Sequence, residues 1–155
     1  MKESTLFHVG IAVPDVDLAT LFFQKVFNFE LLISRTASHD YLGRLVGHKG
    51  ISAKINMLRI DDNNLLEILE WVPFHSDHSQ ETYITKIFDR GAQHLCFYTE
   101  DAALIYSTLM KEDVIFLSNA PITVEDGPNQ GAKVFFIKVF GFLFIEIFQR
   151  PPSPK

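Results

Sequence analysis

The chain carries one stretch of sequence twice, and no other feature limits its possible folds so sharply. Phe7-His8-Val9-Gly10-Ile11-Ala12-Val13-Pro14-Asp15-Val16-Asp17-Leu18 aligns without a gap with Gln93-His94-Leu95-Cys96-Phe97-Tyr98-Thr99-Glu100-Asp101-Ala102-Ala103-Leu104. His8 falls on His94, Asp15 on Asp101 and Leu18 on Leu104. Internal similarity of this kind means one supersecondary unit used twice. In each copy a short apolar run reaches an Asp suited to capping a helix. Apolar residues at helical spacing follow: Leu18, Leu21, Phe22 and Val26 in the first copy, Leu104, Ile105, Leu109 and Met110 in the second.

Runs rich in β-branched and aromatic residues come after each predicted helix: 29–34, 53–60 and 64–71 in the first copy, then 114–118, 132–139 and 142–148 in the second. Both halves therefore read βαβββ, an α+β architecture. The first module spans 1–72 and the second 92–150. Between them a linker, 73–91, is polar at first and then has Ile84, Ile87 and Phe88 at the spacing of a short helix that stops at Gly91. Asp61-Asp62-Asn63-Asn64 is a hairpin signal, 126–131 has turn chemistry throughout, and the proline-rich 151–155 is expected to be a frayed tail.

A length of 155 residues suits one compact domain, or two half-size modules sharing a core. Fourteen Lys and Arg against nineteen Asp and Glu give a net charge of −5, so there is no basic excess to bind a nucleic acid or an anionic membrane. The most apolar stretch, 134–148, is broken by Lys138 and Glu146 and falls short of the roughly 20 apolar residues a membrane helix needs. The lone Cys96 has no internal disulfide partner and the first residues lead straight into a strand-like run, which points to the cytoplasm. Fifteen Phe, each able to bury about 150–250 Å², point to an aromatic interior or pocket.

Strand side chains alternate between faces, and the chemistry emerges from asking which residues share one. Phe7, Val9 and Ile11 form a bulky face, leaving His8 beside Gly10 and Ala12. Glu67 stands between Leu65 and Leu69. In the second copy His94 shares a face with Cys96 and Tyr98, and Glu146 stands between Phe144 and Phe148. A His thus opens each module and a Glu closes it. A carboxylate in apolar surroundings costs several kcal/mol unless it is paired, protonated or bound to a cation. Two imidazoles and two carboxylates, His8, Glu67, His94 and Glu146, suit one divalent ion of intermediate hardness: Zn, Ni, Co, Mn or Fe(II). Glu70 faces the other way and is expected to be solvated. His75 and His78 lie in the polar linker with a surface role, and Cys96 reads as a small core residue.

These residues resemble the vicinal oxygen chelate superfamily, which includes glyoxalase I, methylmalonyl-CoA epimerase, extradiol dioxygenases and fosfomycin or bleomycin resistance proteins. The resemblance runs from about residue 6 to 149 and is carried by His8-Val9-Gly10-Ile11-Ala12-Val13-Pro14-Asp15, by Phe22-Phe23-Gln24-Lys25-Val26-Phe27-Asn28, by Leu66-Glu67-Ile68-Leu69-Glu70 and Ile145-Glu146-Ile147, and by Gly127-Pro128-Asn129-Gln130-Gly131. It implies two βαβββ modules whose curved mixed sheets enclose a metal held by His8, Glu67, His94 and Glu146. The ion would act as a Lewis acid on a chelated small-molecule substrate while a carboxylate moves the proton, with Glu146 as first choice of base and Glu67 as runner-up. His48, ahead of Lys49-Gly50, loosely aligns with an acid–base glutamate of the epimerases. The chain departs from the family in two places. Lys138-Val139-Phe140-Gly141 replaces an Asp-Pro-Asp-Gly turn, and Ala12 stands where bacterial glyoxalase I has an arginine for glutathione.

The leading expectation is a glyoxalase-like lyase or epimerase that abstracts a proton next to a carbonyl. An Fe(II) ring-cleaving dioxygenase is the second, though such enzymes use two His and one carboxylate, which Glu67 exceeds. A drug-binding resistance protein without catalysis is the third. A symmetric homodimer is the default assembly.

Overall fold

The computed structural model describes residues 6–38, 40–72 and 86–151. The chain forms two compact units, Met1–Ser79 and Gln80–Lys155.

In the first unit the elements run β1 (Val9–Ala12), α1 (Val16–Phe27), β2 (Glu30–Ala37), α2 (Asp40–Val46), β3 (Ser52–Arg59) and β4 (Leu65–Val72). The sheet order is β1-β4-β3-β2, with β1 parallel to β4 and the other pairs antiparallel. The repeated Asp acts as expected: Asp15 Oδ1 accepts from the N–H groups of Asp17 and Leu18, both at 2.9 Å, and starts α1. Asn28 ends the helix in the left-handed conformation (φ 57°) that short polar residues tolerate.

α1 packs on β3 and β4. Its buried residues are Val16, Ala19, Thr20, Phe23 and Val26, whereas Leu18 and Leu21 are exposed. The apolar spacing located the helix and misplaced its face. Small Ala19 and Thr20 allow close approach to the sheet, and Thr20 Oγ1 accepts a buried bond from Asn56 Nδ2 at 2.8 Å.

The second unit runs β5 (His94–Tyr98), α3 (Ala102–Leu109), β6 (Ile115–Phe116), β7 (Ile122–Thr123), β8 (Lys133–Val139) and β9 (Leu143–Gln149). Its sheet order is β5-β9-β8-β6, with β7 also pairing β8 and β5 parallel to β9. Asp101 Oδ1 caps α3 through Leu104 N–H at 2.9 Å. Here too the apolar spacing does not mark the buried face: Leu109 is buried, but Leu104 and Met110 are exposed. Phe135, Ile137, Ile145 and Ile147 form the covered side of this sheet.

Two elements go beyond the expected βαβββ plan: α2 in the first unit and the two-residue β7 in the second. α2 places Leu42 in a cluster with Ala37, Ala53 and Ile55, against which Leu69 and Trp71 pack. Gly43 is required there, because a Cβ at that position would come within 2.8 Å of the His48 carbonyl oxygen. The expected linker helix falls mostly outside the described residues, as do His75 and His78. Its described part, 86–91, is a succession of turns. No helix among the described residues is long and apolar enough to cross a membrane.

Candidate functional site

In both sheets the strand that opens the module lies parallel to the strand that closes it, and this adjacency makes the site. Gly10 pairs with Glu67 across β1 and β4. Cys96 pairs with Glu146 across β5 and β9. His8 and His94 each stand two residues before that pair, on the same face, so each imidazole is the diagonal neighbour of its carboxylate. α1 covers the face of Leu66 and Ile68 and α3 that of Ile145 and Ile147, so alternation leaves both Glu side chains on the face away from the helix.

His8 Nε2 lies 3.3 Å from Glu67 Oε2, and His94 Nε2 lies 3.0 Å from Glu146 Oε2. The carboxylates are the sheltered partners, at 20% and 19% side-chain exposure. Met57 on β3 stands opposite Glu67 and Phe136 on β8 opposite Glu146, so each acid has an apolar neighbour on the far side. Phe136 also meets the His94 ring edge-on, with centroids 5.4 Å apart, and Phe7 does the same to His8 at 5.1 Å.

The donor set fits a divalent ion. Two donors bound to one ion at about 2.0–2.2 Å stand roughly 3–3.5 Å apart, which is the spacing seen in both pairs. The same atoms, Nε2 and Oε2, converge in each. His8 Nδ1, on the other side of its ring, is buried without a hydrogen-bond partner among the described residues. Its ring is therefore held by packing and by what meets Nε2. No group of three or more His, Cys, Asp or Glu placed to hold a metal occurs among the described residues. Each unit supplies a pair.

The two pairs differ in their nearest neighbour. Beside Glu67 is Gly10, where a Cβ would sit 3.5 Å from Oε2. Beside Glu146 is Cys96, which is exposed on this face and not the core residue expected from sequence. Partial loss of water around the sulfur on this face, then the Glu146 charge and its hydrogen bond, push the thiol up to about 11. The constant offset of the repeat, which sets Cys96 on Gly10, was the signal for this contact.

Glu70 also departs from expectation. It faces away from Glu67, but it is sheltered: Lys54 Nζ donates to it at 2.8 Å and Val16 N–H at 3.1 Å. The Lys54 bond first and the Val16 bond second hold its carboxyl below the usual glutamate range. His48 is exposed just after α2, with Nδ1 3.1 Å from the Lys49 carbonyl oxygen.

The family model described as "Glyoxalase/Bleomycin resistance protein/Dioxygenase superfamily" matches residues 5–129. A 2-epi-5-epi-valiolone epimerase of an Actinomyces species is 28% identical over 138 residues, covering 86% of this chain and 73% of the relative. Among solved structures, a glyoxalase family protein of Bacillus cereus superposes with a TM-score of 0.79 at 18% identity, covering 97% of this chain and 99% of that one. The fosfomycin resistance protein FosX of Listeria monocytogenes gives 0.62 at 15% identity, with 97% of each chain covered. A FosX variant is known complexed with Mn(II) and 1S,2S-dihydroxypropylphosphonic acid.

Proposed function

The chain belongs to the Glyoxalase/Bleomycin resistance protein/Dioxygenase superfamily, and from that premise we propose that it is a divalent-metal-dependent isomerase that moves a proton at the carbon next to a carbonyl of a small molecule, in the manner of an epimerase. The observation that carries this reading is the duplicated His–Glu pair, with Nε2 and Oε2 at 3.3 Å in one unit and 3.0 Å in the other. His8, Glu67, His94 and Glu146 are the ligands this reading assigns to the ion, one His–Glu pair from each module. A ligand set of two His and two Glu, as assigned here, favours this over ring cleavage, where an iron keeps positions open for oxygen. The epimerase relative supports the same class of reaction.

A divalent ion bound there supplies Lewis acidity to a carbonyl oxygen, which acidifies the adjacent C–H. Glu146 takes that proton at a carboxylate oxygen, and the electron pair of the broken C–H bond delocalises into the carbonyl. This carboxylate is sheltered, with Phe136 opposite it on β8. Epimerisation needs a proton returned to the opposite side of the carbon. Glu67, the equivalent group of the other module, is first in line for that step, and His48 is the remaining acid–base candidate.

Metal analysis of protein purified without added metal tests the reading first. Wild type is expected to retain a divalent ion, and Glu67→Ala and Glu146→Ala each to lower occupancy by more than about tenfold in metal-buffered solution. Unchanged occupancy in both variants refutes it. Deuterium uptake from D₂O next to the carbonyl of 2-epi-5-epi-valiolone, turnover of the methylglyoxal–glutathione hemithioacetal, and oxygen consumption with catechol then separate epimerase, glyoxalase and oxygenase.

A further inference from the structure

Past its His–Glu pair, the second unit carries an arginine held on an aromatic ring. His94, Cys96 and Tyr98 alternate onto one face of β5, paired in register with Phe144, Glu146 and Phe148 of β9. Tyr98 thus stands two residues beyond the Cys96–Glu146 row, about 6.6 Å along the strand. β9 ends at Gln149, and Arg150, the next residue, has the same parity as Glu146. Its guanidinium turns back over the Tyr98 ring, 4.8 Å from the centroid.

Both chain neighbours of Arg150 are tied down. Gln149 Oε1 accepts the Ala102 N–H at 2.9 Å, which joins the end of β9 to the start of α3. Pro151 has its φ fixed by its ring and lies close to Gly131, where a Cβ would sit 3.4 Å from the Pro151 Cβ. Stacking uses the flat face of the guanidinium and leaves the N–H groups at its edge to other acceptors. Arg150 is exposed, and among the described residues no carboxylate pairs with it.

The repeat supplies the contrast. In the first unit Ala12 takes the place of Tyr98, and Trp71 stands as far beyond Glu67 as Arg150 stands beyond Glu146. There Leu69 and Trp71 pack against the cluster of Ala37, Leu42, Ala53 and Ile55, so the chain's own apolar residues cover that end of the face. The equivalent place in the second unit holds an anchored, exposed cation one row from the acid of a His–Glu pair.

We propose that Arg150, carried on Tyr98, recognises a negatively charged substituent, carboxylate or phosphate, on the carbonyl compound handled at the His94–Glu146 pair. The planar fork of N–H donors suits either group, and the ring limits the orientations it can take. The inference rests on the metal-dependent reading above and deepens it by naming the substrate's charge. Arg150 binds and orients; it takes no part in the proton transfer.

The test uses the full chain loaded with Mn(II) and three hydroxamates that chelate an ion through the same two oxygens: neutral glycolohydroxamate, phosphoglycolohydroxamate and succinic monohydroxamate. By calorimetry, one of the two charged probes is expected to bind about tenfold or more tighter than the neutral one, as a charge-assisted contact allows. Which of them does so distinguishes phosphate from carboxylate. Arg150→Met is expected to abolish that preference, with retained glycolohydroxamate binding certifying its fold; Arg150→Gln reads the same way if the Met variant does not fold. Tyr98→Leu keeps the charge and removes its platform, and is expected to reduce the preference about threefold; an undiminished preference there refutes the part given to the ring. No preference in wild type, or a preference that survives Arg150→Met, overturns the Arg150 assignment alone. If no hydroxamate binds better to loaded than to metal-free protein, the chelation reading falls and this inference falls with it.

Discussion

Glu70 tests how α1 is fastened to its sheet, and the repeat provides the control. One carboxylate oxygen accepts the Val16 N–H at 3.1 Å and the other the Lys54 ammonium at 2.8 Å. The second unit fastens α3 with a neutral amide, Gln149 Oε1 accepting from Ala102 N–H at 2.9 Å. Glu70→Gln should therefore keep the bond to Val16 and lose only the ion pair, a small loss because Lys54 is 46% exposed and its charge is screened by water. Glu70→Ala loses the helix-end bond too, a further ~0.5–2 kcal/mol. Urea titration followed by the single Trp, Trp71, reads this unit directly, since it adjoins Glu70 on β4.

The pH dependence carries a sign. Because the folded carboxyl is held below its ordinary value of 4.5, its stabilisation is complete above that value and is lost as pH falls through the depressed one. Wild type should lose this increment in acid, and Glu70→Gln should not. Equal losses for Gln and Ala, or an acid limb unchanged in Glu70→Gln, would refute the reasoning.

Thr20→Val strands the buried Asn56 amide and should cost about 1–3 kcal/mol in urea titration, with Thr20→Ser retaining most of the stability. Phe140, at φ 53° beside Gly141 at φ 80°, holds a conformation that suits Asn-Gly. Phe140→Asn is expected to gain on the order of 1 kcal/mol, seen as a higher melting temperature, and a loss would mean that the phenyl ring's packing outweighs the backbone strain. With its thiol pushed up to about 11, Cys96 should be only about 0.1% thiolate at pH 8. Iodoacetamide should thus modify it slowly in metal-free protein despite its exposure, and Glu146→Gln should speed the reaction; identical rates would contradict the contact with Glu146.

Much of this protein can be read from one dimension. The duplication, the Asp that caps a helix in each copy and the long strands of both sheets depend on neighbours close in sequence, and period-two alternation was enough to set His8 beside Gly10 and Glu67 between leucines. Elements that depend on partners elsewhere were less legible. α2 is short and has Gly43 at its centre, a poor helix former tolerated because the chain returns against it at His48. Leu18 and Leu21 mark a helix as well as Ala19 and Phe23 do, and only the sheet beneath, with Asn56 waiting for Thr20, decides which side is buried. Glu70 reads as a solvated acid until Lys54 and the end of α1 are brought to it.

What the sequence by itself determined, then, is which residues share a strand face, because alternation is a property of the local backbone. What only the tertiary structure decided is which faces meet. The parallel pairing of the first and last strands joins His to Glu in each unit, and its register in the second unit puts Tyr98, with Arg150 over it, one row from Glu146. Pairing and register are long-range choices, made by the burial of whole sheet faces and not by any single segment.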